Sequence, residues 1–239
     1  MQTKYEQLND NKGIEEILTT EQTYNECLTR LEKAFSQPSL IGDNKLLQEI
    51  APIITYFKGI SDKLLENTTT AINVAMDDTM RVELRAQRKQ FLKAFATVLT
   101  TYMPLFDQYT QQSVANKQFE AMDSFIRTNN PNRLGLADHL ITPVQRGPRY
   151  KMLLEATKKL TTHLEDKHLE ELTALEETIS EGLKEANASM PTPTKSNSRW
   201  GLGNYKFGDL TRYALGKSSN DLNEQNSSQN PGSPGPKSK

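Results

Sequence analysis

The feature that most constrains the fold is a run of apolar residues at three- and four-residue spacing between Lys12 and Phe35. Residues three or four apart share one face of a helix, so this spacing predicts one long amphipathic helix. The apolar positions of the run are Ile14, Ile17, Leu18, Tyr24, Leu28, Leu31 and Phe35. Helices of this length with short connections pack as bundles, so the run already favours a bundle fold.

The same spacing recurs along most of the chain. Helices are predicted over 45–66, 81–109, 114–126 and 168–189. We expect Pro52 to bend the first of these helices and Pro104 to break the second. Gln37 to Asn44 reads as a loop, and the threonine-rich segment after Asn67 is ambiguous. No stretch alternates apolar and polar residues over strand length, so we predict an all-α fold, an elongated multi-helix bundle.

The stretch from Leu140 to Leu154, LITPVQRGPRYKMLL, combines a helical pattern with two internal prolines. Pro143 and Pro148 each remove an intrahelical hydrogen bond, at a cost of roughly 3 kcal/mol in a helix interior. Two interpretations are open. The helix begins near Pro143 with Thr142 as its N-cap, or one long helix is bent at both prolines.

Four polar residues on these two helices stand out. Gln145 and Arg149 lie one turn apart on the outward face, and an amide beside a guanidinium suits binding to another protein's backbone and acidic groups. Glu21 falls inside the apolar stripe, so we predict a buried carboxylate paired with an arginine. Glu16 lies at the rim, about 110° from the centre of the stripe. A rim glutamate is more often solvated than in contact with a partner, and both readings are open.

Composition narrows the class of protein. The 239 residues carry a net charge of −1, which gives no reason to expect nucleic-acid or membrane attraction. The single cysteine, Cys27, excludes an internal disulfide and lies on the stripe of the first helix, as a core residue would. No apolar run approaches the ~20 residues of a membrane span, and the N-terminus lacks the apolar core of a secretory signal. The expected compartment is the cytoplasm.

The sequence lacks the motifs of common enzyme chemistry. It contains no GxxxxGK[ST], GxGxxG, HExxH or CxxC pattern. The three histidines, His139, His163 and His168, do not have the spacing of a metal site, so we predict that they are surface or packing residues. We therefore predict no metal, no cofactor and no covalent catalysis.

The composition changes near Met190. Residues 190–239 carry seven basic and three acidic residues and much of the chain's glycine and proline, whereas the rest of the chain is acidic. We predict a domain over 12–189, preceded by a short lead over 1–11 and followed by a disordered tail over 190–239. Aromatic and basic residues between Arg199 and Lys217 leave two readings of the tail open: a plain linker, or a short motif that docks on a membrane or partner.

Segments of this chain resemble a known family. EEILTTEQTYNECLTRLEKAF, from Glu15 to Phe35, resembles the first conserved region of Dbl-homology domains, the exchange factors for Rho-family GTPases. LITPVQRGPRYKMLLEATKKL, from Leu140 to Leu160, resembles their third conserved region, whose hallmark is P-[VI]-Q-R-x-x-[KR]-Y. FLKAFATVLTTYMPLFDQY and the phenylalanines of KQFEAMDSFI resemble the middle region. The likeness runs in order from Lys12 to Ser189.

The resemblance implies a helical bundle that binds a Rho-type GTPase across the first helix, the helix carrying PVQR and the last helix. It implies that Glu16 contacts a switch segment of the GTPase. Gln145 and Arg149 would contribute from the second of these helices, and Asn187 from the third. Lys151 is a further candidate, for the choice of GTPase.

Other motif positions are assigned to holding the bundle together. These are Glu21, Tyr24, Arg146 and Tyr150, and we expect Arg146 to be the buried partner of the glutamate. The chain departs from the family at Gly147, where isoleucine or valine is usual. The glycine removes a core contact, which would loosen the bend or let a partner approach closely. A second departure is that 190–239 is too short for the pleckstrin-homology domain that usually follows.

The leading hypothesis is a guanine nucleotide exchange factor for a Rho-family GTPase, acting without covalent chemistry. It would act in the cytoplasm, or in the host cytosol if the chain is a bacterial protein delivered into host cells. The alternative is a catalytically weak GTPase-binding or scaffold protein with the same bundle. A membrane-shaping scaffold is disfavoured, because such surfaces need a basic face and this bundle is acidic.

Overall fold

A computed structural model of the chain describes residues 4–73, 78–112, 116–160 and 166–188. The helices are α1 (Lys4–Phe35), α2 (Pro38–Ile41), α3 (Lys45–Asn73), α4 (Asp78–Gln112), α5 (Lys117–Thr128), α6 (Leu136–Leu140), α7 (Thr142–Leu160) and α8 (Asp166–Ala188). No residue in the described ranges lies in a strand, so the predicted all-α fold is confirmed. The tail over 190–239, with its predicted disorder and docking motif, lies outside the described residues.

Several helices are longer than predicted. α1 begins at Lys4, within the segment expected to be a lead, and α3 continues through the ambiguous threonine-rich segment to Asn73. The predicted break at Pro104 is wrong, because α4 runs through the proline without interruption. Met103 and Phe106 are buried on either side of it, and their packing offsets the lost hydrogen bond. The predicted loop over 37–44 contains the short helix α2.

The start of α7 follows neither proposed interpretation completely. α6 ends at Leu140 and α7 begins at Thr142, so the two prolines do not bend one continuous helix. Thr142 lies inside α7, and its hydroxyl donates to the carbonyl of His139 (2.7 Å) instead of capping the new helix. Pro143 occupies the first turn, where a missing N–H costs little, whereas Pro148 lies in the helix interior.

The helices pack in neighbouring pairs around an aromatic core. α1 lies against α3 and α7, α4 lies against α3 and α8, and α7 lies against α8. Phe95 of α4 is central, with its ring centroid 5.3 Å from that of Phe57 and 5.1 Å from that of Tyr150. Such aromatic pairs contribute about 0.5–1.5 kcal/mol each beyond the area they bury. The core therefore joins α3, α4 and α7.

A buried polar network joins α1 to α3 and α7. Glu21 of α1 is completely buried, and its Oε2 accepts from Arg146 Nε (3.1 Å) and from the Tyr150 hydroxyl (2.8 Å). Its other oxygen accepts from the Ser61 hydroxyl of α3 (2.5 Å). The predicted pair of Glu21 with Arg146 is therefore present, and the carboxylate meets the requirement that a buried charge be both paired and hydrogen-bonded.

Two buried tyrosines flank the guanidinium of Arg146 in different ways. The guanidinium carbon lies 4.4 Å from the ring centroid of Tyr150 and 5.6 Å from that of Tyr24. Within the described ranges the Tyr24 hydroxyl has no hydrogen-bond partner, whereas the Tyr150 hydroxyl donates to Glu21. Burial, more than any neighbouring group, raises the pKa of both tyrosines, so both stay neutral. Tyr24 therefore acts through packing, and Tyr150 acts through packing and donation.

Gly147 is buried at the contact between α7 and α8. A Cβ at this position would lie 2.5 Å from Leu183 Cδ2, 3.5 Å from Leu99 Cδ2 and 3.6 Å from Phe95 Cε1. The expectation of a lost core contact is therefore wrong, because Leu183 of α8 fills the space. The loosened bend stays a prediction. Gly147 does permit a close approach, but the element that approaches it is α8 of the same chain.

His139 is a packing residue, as predicted, and it is almost completely buried in α6. Its Nε2 lies 3.1 Å from the amide nitrogen of Asn130, which can only donate, so the ring proton belongs on Nδ1, which has no partner among the described residues. Burial, and to a lesser extent the charge of Arg30, lowers the pKa of His139, while Asp138 opposes the shift. The folded state therefore favours the neutral form of His139.

We predict that the two tyrosines at Arg146 respond oppositely to loss of the hydroxyl. Tyr150→Phe removes a hydrogen bond to a buried carboxylate and should lower the free energy of unfolding by about 1.5–3 kcal/mol. Tyr24→Phe removes a hydroxyl without a partner and should leave stability unchanged or raise it. Urea unfolding of the two variants measures this, and equal losses would contradict the network described above.

We also predict that His139 makes the protein less stable in acid. Its pKa in the folded state is below the ordinary value of 6.5, so the unfolded state takes up the proton first as pH falls. The free energy of unfolding should therefore decline as pH drops below 6.5. In His139→Gln the decline between pH 7 and pH 5 should be smaller, and an identical decline in both proteins would exclude this role.

Candidate functional site

Glu16 of α1 and Arg149 of α7 meet on the surface of the bundle. Glu16 Oε1 lies 3.2 Å from Arg149 Nη2, and the two side chains are 55% and 43% exposed. Exposed ion pairs of this kind contribute about 0–1 kcal/mol, so each partner can be exchanged for a group on another protein at little cost. The structure therefore brings together the two charged residues predicted to share a surface.

The buried network fixes where this pair lies. Glu16 precedes Glu21 by five residues on α1, and Arg149 follows Arg146 by three residues on α7. The two contacts show that α1 and α7 run antiparallel, because the residue number rises on one helix as it falls on the other. The inner pair thus sets the register that places Glu16 opposite Arg149.

Gln145 extends the same surface by one turn of α7. Its side chain is half-buried and makes no side-chain hydrogen bond within the part of the chain that the structure describes. In the antiparallel register it lies level with Thr20 of α1, one turn after Glu16. The Thr20 hydroxyl donates to the carbonyl of Glu16 (2.8 Å). Thr20 is not among the residues predicted from the sequence. Its position four residues after Glu16, on the same face of the helix, could have indicated it.

We use the name seam for the surface formed by Glu16, Thr20, Gln145 and Arg149. Asn187 is exposed near the end of α8, one turn after Leu183. α7 and α8 also run antiparallel, because Gly147 contacts Leu183 and Lys158 Nζ lies 2.8 Å from Glu176 Oε2. Asn187 is therefore level with the first turn of α7, the end of that helix on which Gln145 lies.

Lys151 is placed differently from the other candidates. It follows Arg149 by two residues, which on a helix is about 200° of rotation. Its Nζ lies 3.7 Å from Glu155 Oε1, and it shares a side of α7 with Lys158, which contacts α8. The structure therefore does not bring Lys151 next to Arg149, and a role for it in choosing a partner stays a prediction.

Two kinds of feature are absent from the described residues. Among them, no group of three or more His, Cys, Asp or Glu side chains is arranged to hold a metal ion. Nor is any described helix long and apolar enough to span a bilayer. Cys27 is a half-buried free thiol whose pKa is raised, chiefly by burial, and it is therefore poorly suited to act as a nucleophile.

Comparisons with known proteins agree with the fold. Residues 13–187 match the RhoGEF domain family. A comparison with curated protein sequences gave no match. Among solved structures, the DH/PH domains of a p115-RhoGEF mutant are similar, with a TM-score of 0.57 and 20% identity over 77% of this chain and 56% of that one.

A second similar structure is the complex of the PDZ-RhoGEF DH/PH domains with GTP-gamma-S-activated RhoA. Its TM-score is 0.55, with 19% identity over 79% of this chain and 55% of that one. Both matches span little more than half of the other chain, and at such low identity they show the fold alone. The match to the family covers most of this sequence, including α7 and nearly all of α8. The chain belongs to the RhoGEF domain family.

Proposed function

We propose that this chain is a guanine nucleotide exchange factor that binds a Rho-family small GTPase and promotes release of GDP by stabilising the nucleotide-free state. The observation that carries the proposal is the seam, where an acid from α1 and a guanidinium from α7 lie 3.2 Å apart and exposed. RhoA in the PDZ-RhoGEF complex supports the class of partner. We propose the cytoplasm as the compartment in which it acts.

The proposed mechanism is differential binding and involves no covalent step. A factor that binds the nucleotide-free GTPase more tightly than the loaded form shifts the population toward release. Each ~1.4 kcal/mol of nucleotide affinity removed speeds release about tenfold if the on-rate is unchanged. The protein therefore needs a surface that fits the empty GTPase, and it needs neither a nucleophile nor a metal of its own.

Each residue of the site has a distinct role in this proposal. Glu16 engages the first switch segment, while Gln145 and Arg149 hold the second switch and its flanking strand. Asn187 adds a contact from α8. Binding separates Glu16 from Arg149, and the exposed ion pair costs little to break because water already screens it. Once covered by the GTPase, each group is paired in a drier setting, where losing it is costly.

The alternative is a helical GTPase-binding or scaffold protein in which exchange has been lost. Gly147 had left this alternative open, and its packing against Leu183 removes the argument that the glycine weakens the bundle. Capture of a GTPase without faster release of GDP would identify the scaffold. Release of fluorescent GDP from a panel of Rho-family GTPases therefore separates the two functions.

We predict that reversing the charges of the ion pair separates binding from folding. Glu16→Arg and Arg149→Glu should each slow exchange by at least about 30-fold, equivalent to 2 kcal/mol at an interface. The double variant restores an ion pair within the protein, so it should unfold like the wild type, yet it should remain inactive because both charges oppose the partner. Exchange rates and thermal unfolding are measured on all three variants.

The control is Glu66→Arg, an exposed position of α3 on the side of that helix away from the core. This variant makes the same charge change as Glu16→Arg and should exchange at the wild-type rate. Unchanged exchange in both single variants, on every GTPase that the wild type activates, would refute the site. A double variant that regains activity would show that the pair acts structurally.

A further inference from the structure

We propose that Gly182 of α8 is a positioning residue for engagement of the GTPase, because it sets how closely α8 approaches α4 and thus where α8 presents Asn187. The inference rests on the proposed function. It concerns a residue outside the seam that neither the helical pattern nor the motifs indicated.

The first contact that seats α8 is between Gly182 and Ala96 of α4. Both residues are buried. A Cβ on Gly182 would overlap the Cβ of Ala96 and lie 3.3 Å from its Cα. These atoms belong to a side chain without rotamers and to the backbone, so neither can turn aside. An added methyl group therefore has to move one helix away from the other.

The second contact is between Leu183 and Gly147 of α7. A Cβ at Gly147 would lie 2.5 Å from Leu183 Cδ2, and Leu99 Cδ2 and Phe95 Cε1 of α4 would lie 3.5 Å and 3.6 Å from it. Gly182 and Leu183 are consecutive, so they point about 100° apart and seat α8 on α4 and α7 at the same level. The two glycines belong to different helices. Each lacks a side chain that would otherwise keep α8 farther from the neighbouring helix.

Asn187 lies beyond this seat. It follows Leu183 by four residues, about 6 Å along the helix axis. Lys184, Glu185 and Asn187 are exposed in this last part of α8, while Ala186 is buried. A shift of the helix at Gly182 is therefore carried to Asn187, whereas Glu16 and Arg149 lie on helices joined by the Glu21 network, which is formed by α1, α3 and α7.

The test combines one substitution with its compensating exchange. In Gly182→Ala, affinity for the nucleotide-free GTPase should fall by about tenfold or more, since a site displaced by about 1 Å loses its fit. In Gly182→Ala with Ala96→Gly, the methyl group is transferred from α4 to α8, so affinity should return toward the wild-type value. Gly59→Ala is the matched control, because nothing lies within 4 Å of that added Cβ on α3. It should bind like the wild type.

Asn187→Ala distinguishes positioning from loss of stability. In the wild type and in the exchanged double variant it should weaken binding several-fold. In Gly182→Ala it should have no further effect, because that contact is already lost. A folded Gly182→Ala protein with full affinity and full dependence on Asn187 would overturn the proposal. If Gly182→Ala does not fold, the test uses the variant with both Gly182→Ala and Ala96→Gly. If Asn187→Ala weakens its binding to the GTPase, the proposal is supported. If Asn187→Ala has no effect on its binding, the proposal is overturned.

A separate measurement distinguishes this inference from the proposed function. Spin labels at exposed Lys93 of α4 and Lys184 of α8, in a Cys27→Ser background, report the spacing of the two helices without any GTPase. The distance should shift in Gly182→Ala and return in the exchanged variant. A wild-type protein without exchange activity refutes the proposed function. If the wild type is active but the distance between the two labels is unchanged in Gly182→Ala, only the proposed role of Gly182 is refuted.

Discussion

The carboxylate of Glu21 is the group on which the arrangement of the bundle depends. It is completely buried, and it accepts hydrogen bonds from Arg146, Tyr150 and Ser61, so it joins three helices through one side chain. A buried charge is tolerated only when its partners are all in place, and removing one partner of such a pair typically costs about 3–5 kcal/mol. The requirement to satisfy this one group therefore defines how α1, α3 and α7 must meet.

Two acid–arginine pairs connect α1 and α7, and their surroundings give them different properties. The inner pair of Glu21 and Arg146 is 0% and 5% exposed, whereas the outer pair of Glu16 and Arg149 is 55% and 43% exposed. The same charges interact strongly in a dry interior and weakly in water. The inner pair therefore maintains the geometry, while the outer pair remains free to exchange partners. A rigid layer beneath an exchangeable one suits a surface that has to recognise another protein.

Much of this architecture could be predicted from residue spacing, because a helix repeats its faces regardless of what surrounds it. The all-α fold, the burial of Glu21 and its pairing with Arg146 followed from pattern and motif. Helix ends were less predictable. Pro104 lies within α4 because its buried neighbours outweigh its local preference, which no local pattern reveals. Ser61 and Gly182 act through contacts with distant segments, so spacing within their own helices contained no signal for them.

The inner pair also has a consequence for the order in which the chain assembles. Glu21 and Ser61 are 40 residues apart, whereas Glu21 and Arg146 are 125 apart. During synthesis from the N-terminus, α1 and α3 emerge long before the guanidinium that neutralises the carboxylate between them. In that interval the Glu21 side chain lacks two of its three partners, Arg146 and Tyr150, and burying it without them is costly. The recognition surface is thus completed only when α7, which carries Gln145 and Arg149, joins α1.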